Sequence, residues 1–273
     1  MNMKPIVLIL VDGMRPDGLL QANTSTLKRL MLTGSYSLQA RTVLPSLTLP
    51  CITSLIFGVA PTTHGTLTNT FASHAWKIPG LIDLLHTAGY KTASFMNWEP
   101  LRDLSRAGAL ELSICLNTSE LPNLLFEESD ATLTSLAIAA LAQHPVDFIF
   151  FYLGCVDTAG HIHGWMSPEY ISAIENADLC IERLLGALPE ETTAFITADH
   201  GGSGNSHGAD SDEEMTTPLI MAGPGLPKGE ISIPVSILDI APTIAACAKV
   251  TPPSEWEGKP LVSIPQQPIV EKQ

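Results

Sequence analysis

The chain has 273 residues, with 14 Lys and Arg against 28 Asp and Glu, a net charge of −14. At 45% hydrophobic and 15% charged it can build a packed core, which excludes a disordered or coiled-coil chain. So acidic a balance argues against non-specific attachment to nucleic acid or an anionic membrane surface, and leaves cations open as partners.

The first element is the apolar run Ile6–Val11, which stops at Asp12. It reads as a central strand covered on both faces, and it is too short for a signal-peptide core or a bilayer span. No other run approaches a membrane span, so a protein kept in the cytoplasm is expected. Thr24–Leu32 places Leu27, Leu30 and Met31 at helical spacing and ends at Gly34. A strand over Leu38–Val43 precedes a helical pattern from Thr48 to Phe57. A helix over Gly80–Thr87 and a strand over Thr92–Met96 come next. A helix over Ala131–Gln143 closes at His144-Pro145.

Asp147–Leu153 is a second near-continuous apolar strand. The helix Pro168–Leu188 opens with Ser167 as N-cap and Pro168 in the first turn. Strands over Thr193–Thr197 and Leu219–Ala222, then a helix over Ile237–Ala248, lead to a Pro-rich tail from Thr251 to Pro268. This alternation predicts a three-layer α/β/α sandwich with a mostly parallel central sheet, as a single domain over residues 1–273. The five cysteines are odd in number, scattered and without a CxxC pair, so free thiols are expected.

Three predicted strands deliver an aspartate at or beyond their carboxyl ends: Asp12, Asp157 and Asp199. In open α/β sheets that edge is where ligands bind. One Asp-Gly after a strand is an ordinary turn. Here two of the three aspartates have a histidine close by, His200 directly after Asp199 and His161 four residues after Asp157. His161, His163, His200 and His207 all fall in or beside Gly-rich loops. Carboxylate oxygen with imidazole nitrogen suits zinc or manganese, and the set is large enough for two ions. A pair of ions ~3.5–4 Å apart can clamp the attacking and leaving oxygens of a phosphoryl displacement.

Covalent hydrolysis would also need a nucleophile. Thr48 opens a helical pattern after a strand, and two readings stay open there. It is a plain N-cap, or its hydroxyl is activated by a metal while helix N–H groups hold a phosphate oxygen.

The blocks VLILVDGMRPDG, LPSLTLPCITSLIFGVAPTTHGTLTN, GCVDTAGHIHG, TADHGGSGNSHG and TTPLIMAGPGL, in this order from about Ile6 to Gly225, resemble the alkaline phosphatase superfamily. The closest resemblance is to its nucleotide pyrophosphatase/phosphodiesterase branch, and SILDIAPTI follows in family style. The resemblance implies an alkaline phosphatase-like fold and a bimetallic phosphoric ester hydrolase with two divalent ions, zinc first and manganese second. It implies one ion held by Asp157, His161 and His207, and the other by Asp12, Asp199, His200 and the Thr48 hydroxyl. Thr48 would form a covalent phospho- or nucleotidyl-threonine on a small phosphate-ester or nucleotide substrate, without stable nucleic-acid or membrane binding. His163 has no role in that scheme.

Some features depart from the pattern. Cys51 stands three positions after Thr48, where an Asn donor to phosphate is expected, and a thiol is a weak donor. The sulfatase motif Cys-x-Pro-x-Arg fails at Cys51, and the Asp-Ser-Ala motif of alkaline phosphomonoesterases is missing. Trp76, Trp98, Phe71 and Trp165 are candidates for base stacking, though single aromatics more often serve packing. Arg15 and Arg41 are candidates for phosphate contact, or else charges beside turns. The acidic run Asp210–Glu214 reads as a solvated loop, or as one that holds ligand-bearing residues together. Two rivals to a diesterase remain: a phosphomonoesterase or phosphonate hydrolase on the same ligands, and a metal-binding interaction protein without turnover.

Overall fold

A computed structural model describes residues 4–116 and 128–262. Its strands are β1 (Ile6–Val11), β2 (Ser35–Arg41), β3 (Thr92–Met96), β4 (Leu112–Cys115), β5 (Phe148–Leu153), β6 (Thr193–Thr197), β7 (Thr216–Ala222) and β8 (Gly229–Glu230). They form one sheet in the order β4-β3-β5-β1-β6-β7-β2-β8. The five strands from β4 to β6 run parallel, while β7 is antiparallel to both β6 and β2. The helices are α1 (Pro16–Gln21), α2 (Ser25–Thr33), α3 (Thr48–Phe57), α4 (Pro61–His64), α5 (Leu81–Thr87), α6 (Ser129–Gln143), α7 (Cys155–His163), α8 (Pro168–Ala187), α9 (Asp212–Met215) and α10 (Ile240–Cys247).

Alternation along the central strand divides the core in two, because successive side chains leave opposite faces of a sheet. Ile6, Leu8 and Leu10 pack with Ile52 and Leu55 of α3, Leu81 and Leu85 of α5, and Ile244 of α10. Val7, Ile9 and Val11 pack with Leu19 of α1, Leu27 of α2, Leu133 of α6, and Ile174 and Ile181 of α8. The sandwich predicted from the alternating pattern is therefore present, with helices on both faces of a mostly parallel sheet.

Several boundaries differ from expectation. β2 starts at Ser35, ahead of the predicted Leu38, and its pairing with β7 shifts register between Ser37 and Ala40. β7 starts at Thr216. β4 and β8 were not anticipated: they are short edge strands without a buried face. The last predicted helix is divided into a 3₁₀ turn over Ile237–Asp239, closed by a Ser236/Asp239 capping box, and α10. Ser167 caps α8 as predicted, accepting from the Tyr170 N–H. Gly34 does end α2, but in extended conformation; a Cβ there would lie 2.2 Å from the Met221 carbonyl oxygen, so the requirement is close approach to β7. All five cysteines are free; Cys51, Cys155 and Cys180 are buried. In the tail, Trp256 donates to the Pro79 carbonyl and covers Gly58 at the end of α3, while residues beyond 262 lie outside the described ones.

No side chain of its own caps the N-terminus of α2. Asp178 of α8 supplies the cap from across the layer, accepting from the Thr26 and Leu27 N–H groups at 3.0 and 2.7 Å. These are charge-assisted bonds made by a buried carboxylate. Asp178→Ala is expected to destabilise the protein by about 2 kcal/mol, seen as a fall of roughly 4–6 °C in Tm by calorimetry.

Candidate active site

Strands β5, β1 and β6 are neighbours at the centre of the sheet, so the residues beyond their carboxyl ends meet at one edge. Asp12 follows β1 directly, Asp199 stands just past β6, and Asp157 lies in the first turn of α7 after β5. The Gly-rich segment around Asp157 was expected to be a loop; it is helical. Gly160 serves packing there, since a Cβ would lie 2.7 Å from the Trp165 ring, and Gly164, at φ 94°, ends the helix. The helix sets Asp157 and His161 one turn apart, with His161 Nε2 3.4 Å from Asp157 Oδ2.

The three aspartates and three histidines predicted as ligands come together. His200 Nε2 is 3.3 Å from both Asp12 Oδ1 and Asp199 Oδ2, and His207 Nε2 is 3.6 Å from Asp157 Oδ1. Donor atoms of Asp157, His161 and His207 all lie within 4.8 Å of one another, as do those of Asp12, Asp157 and His200. Asp157 therefore stands between the two groupings.

Backbone carbonyls determine the tautomers. Each Nδ1 faces a carbonyl oxygen: Gly201 for His200 at 2.8 Å, Ser46 for His207 at 2.7 Å and Asn205 for His161 at 2.9 Å. A carbonyl only accepts, so each Nδ1 carries the proton and each Nε2 of a neutral ring turns a lone pair toward the carboxylates. Burial lowers the pKa of His200 and His207, so these contacts are not salt bridges. The two rings stack at 3.7 Å, and His161 Nε2 and His207 Nε2 are only 3.2 Å apart.

Asp12 Oδ1, Asp157 Oδ1 and Asp199 Oδ2 are buried and receive no hydrogen bond. Burial, followed by Asp199 and Asp157, raises the pKa of Asp12 well above the carboxylate range. Burial and then Asp157 push Asp199 up to about 7. Lone pairs and carboxylate oxygens facing one another without donors are what divalent cations satisfy, so the residues fit that group.

Thr48 is the first helical residue of α3 and is almost fully buried. It is not the N-cap: that position is Leu47, and the Thr48 Oγ1 lies 3.2 Å from His200 Nε2. Cys51 turns away, its thiol held 3.6 Å from the Val43 and Pro45 carbonyls. The amide beside Thr48 comes instead from Asn69, whose Oδ1 accepts from the Leu49 N–H at 3.1 Å. That bond occupies the oxygen and leaves the NH₂ of Asn69 as donor. Asn69 escaped the sequence reading because it is twenty-one positions away in a polar loop.

Further residues support the ligands. Tyr152 donates to Asp12 Oδ2. Asp130, which burial raises to about 6, accepts from the Gly154 and Cys155 N–H groups at the start of α7. Trp165, a candidate for base stacking, is instead a buried wedge that donates to the Gly13 carbonyl at 3.0 Å and packs edge-on against His161. Phe71 packs on Phe57 and Trp98 on the same core, while the Trp76 side chain lies outside the described residues. Arg15 is held by Asp17 and the Gly202 carbonyl, and Arg41 by Asp212 and Thr216. His163 does not join the cluster; it lines a cavity of about 520 Å³ with Ala159 and Arg183, between α7 and α8.

In the acidic run, Asp210, Asp212 and Glu213 are exposed, but Glu214 is buried. Its Oε2 accepts from the Ala209 N–H at 2.5 Å and faces the Ser46 hydroxyl at 3.3 Å, while Ser46 Oγ accepts from the Gly208 N–H. Glu214 and Ser46 thus clamp the His207 loop to the Thr48 loop. The exposed members of the run fit the solvated reading, and Glu214 fits the alternative, a segment that holds ligand-bearing residues together.

A doubly covered sheet with this constellation at its carboxyl edge defines a member of the alkaline phosphatase superfamily. More narrowly, residues 6–231 match the type I phosphodiesterase / nucleotide pyrophosphatase family, and the chain belongs to it. The 2,3-bisphosphoglycerate-independent phosphoglycerate mutase of Clostridioides difficile (strain 630) is 29% identical over 144 residues. The match covers 50% of this chain and only 28% of the mutase, so the chain matches well under half the length of that relative.

Among solved structures, the murine ectonucleotide pyrophosphatase/phosphodiesterase 5, in an inactive threonine-to-alanine form with AMP, superposes with a TM-score of 0.74 at 15% identity, covering 91% of this chain and 96% of that one. The phosphonate monoester hydrolase of Silicibacter pomeroyi gives 0.73 at 18% identity, covering 94% and 76%.

Glu214→Ala leaves the Ala209 N–H and the Ser46 hydroxyl without their carboxylate. The expected outcome is a loss of about 1–3 kcal/mol in stability, measured by urea unfolding, together with weaker zinc uptake by titration.

Proposed function

We propose that the chain is a two-metal phosphoric ester hydrolase that prefers phosphodiesters or nucleotide pyrophosphates and works through a covalent threonine ester. One observation carries this reading: the Thr48 hydroxyl, at a helix N-terminus, lies 3.2 Å from His200 Nε2, which itself stands 3.3 Å from the donor-less oxygens of Asp12 and Asp199. Asp157, His161 and His207 would hold one divalent ion; Asp12, Asp199, His200 and Thr48 would hold the other. Zinc or manganese suits this mixture of oxygen and nitrogen ligands. When bound, the ions supply positive charge that favours the Thr48 alkoxide and balances charge on the phosphoryl oxygens.

The chain's own residues do the rest. Thr48 Oγ1, its proton lost to solvent, attacks phosphorus; one P–O bond breaks and the leaving oxygen takes a proton from water. The threonine phosphoryl ester that forms, still carrying the diester's second group, is then hydrolysed by water. The Thr48 N–H, in the first turn of α3, has no helical acceptor and joins the Asn69 NH₂ as donor to a phosphoryl oxygen. The backbone anchors on the three histidines hold their Nε2 atoms inward. The murine family member that is inactive as a threonine-to-alanine form and binds AMP supports the roles of a threonine and of a nucleotide.

The preference for diesters rests on the arginines. Arg15 and Arg41 are tied to Asp17 and Asp212, so neither is directed to a second phosphoryl charge. A diester presents a single negative charge and needs no such partner. Among the described residues no helix is long and apolar enough to cross a membrane.

Chelator-stripped protein reloaded with zinc or manganese should be assayed on a chromogenic phosphodiester, phosphomonoester and sulfate. The diester is expected to react fastest, and Thr48→Ala to lose at least ~10³-fold in kcat. A monoester rate equal to or above the diester rate would overturn the substrate preference. Full activity in Thr48→Ala would remove the covalent step, and metal uptake without turnover would favour a binding protein.

Metal affinity should also depend on pH. Asp12 and Asp199 have raised pKa values, so protons compete for their oxygens near neutrality. Zinc affinity measured calorimetrically is expected to rise with pH up to and through about 7. A flat profile between pH 6 and 8 would count against these aspartates as ligands.

A further inference from the structure

Strand β5 reads FIFFYL, and Tyr152 is the only aromatic in it with a hydroxyl. Its ring is 2% exposed, within the core layer that also holds α3, and in register it stands beside Leu10, two residues before Asp12. Gly154 gives the ring its room: a Cβ there would lie 3.0 Å from Tyr152 Cε1 and 3.3 Å from the hydroxyl oxygen. The phenol is thus packed in place, and its O–H donates to Asp12 Oδ2. Asp12 Oδ1 has no donor and lies 3.3 Å from His200 Nε2. The carboxylate torsion of an aspartate is soft and roughly two-fold, so without a fixed donor its two oxygens exchange roles.

We propose that Tyr152 is a positioning residue that locks Asp12 with Oδ1 facing His200 and thereby sets the affinity of the cation subsite formed by Asp12, Asp199, His200 and Thr48. The inference rests on reading the site as a two-cation centre. It is selective between the two subsites. His161 and His207 are held by the Asn205 and Ser46 carbonyls and share no hydrogen bond with Tyr152. Removing the hydroxyl leaves the hydrogen bonds of the other ligand set in place, and phenylalanine keeps the ring that packs against Gly154.

The test is calorimetric titration of metal-free protein with Zn²⁺ for the wild type, Tyr152→Phe, Asp12→Asn and the double variant, with circular dichroism to check folding. Tyr170→Phe serves as comparison, because the Tyr170 hydroxyl is buried near the site but bonds only backbone, the Gly13 carbonyl and the Arg15 N–H. Wild type is expected to bind two equivalents. Tyr152→Phe should weaken one of them by about 10–100-fold and leave the other unchanged. On the Asp12→Asn background the tyrosine substitution should add no further loss at that subsite. Unchanged affinity in Tyr152→Phe, equal loss at both subsites, or the same loss in Tyr170→Phe overturns the positioning role while the two-cation reading stands. A wild type that takes up no Zn²⁺ overturns both.

Discussion

Like repels like at the carboxyl edge of this sheet. Three carboxylates and three imidazole lone pairs converge there, Asp12, Asp199 and His200 buried and His161 at the open side, and the described chain directs no lysine or arginine ion pair to them. Apposition of this kind is unfavourable in a low-dielectric interior unless something positive enters. Much of the surrounding architecture serves to hold the repelling groups in register. Carbonyls of Gly201, Ser46 and Asn205 fix the three rings, Tyr152 and the Gly13 N–H fix two of the carboxylates, and Asp130 anchors the helix that carries the third.

The same constraint reconciles the acidic composition with an anionic substrate. A chain of net charge −14 is a poor receptor for anions at long range. Local ion charge, not net charge, governs a metal site. Only three acidic residues are assigned as ligands, and one more, Glu214, holds two loops together from within. The remaining acidic surface disfavours long polyanions more than small phosphate esters, consistent with the proposed substrate class.

The fold was largely legible because its signals are local. Continuous apolar runs marked β1 and β5 as central strands, and Ser167-Pro168 marked the start of α8. What failed to register were elements whose stability comes from elsewhere. β4 borrows its pairing from β3. α2 was legible, but its N-terminal cap, Asp178 of another helix, was not. α7 carries Gly160 and is flanked by Gly154 and Gly164, which suggested a loop; Gly160 makes room for Trp165. For Trp165 the sequence offered both stacking and packing, and the structure shows packing, with the ring buried behind the histidines.

The sequence by itself determined the chemistry of the site, because aspartates after strands and histidines just beyond them are short-range patterns. The ordered motifs also pointed to the family. Tertiary structure alone decided how these side chains are held and what Thr48 faces. Thr48 points its hydroxyl at His200 and leaves capping aside, Cys51 turns inward, and Asn69 arrives from a distant loop to supply the amide. Tautomers, the clamp made by Ser46 and Glu214, and the hydroxyl of Tyr152 beneath Asp12 are contacts between residues far apart in the chain. No local pattern encodes such contacts, because each depends on where two separate strands, helices or loops come to lie.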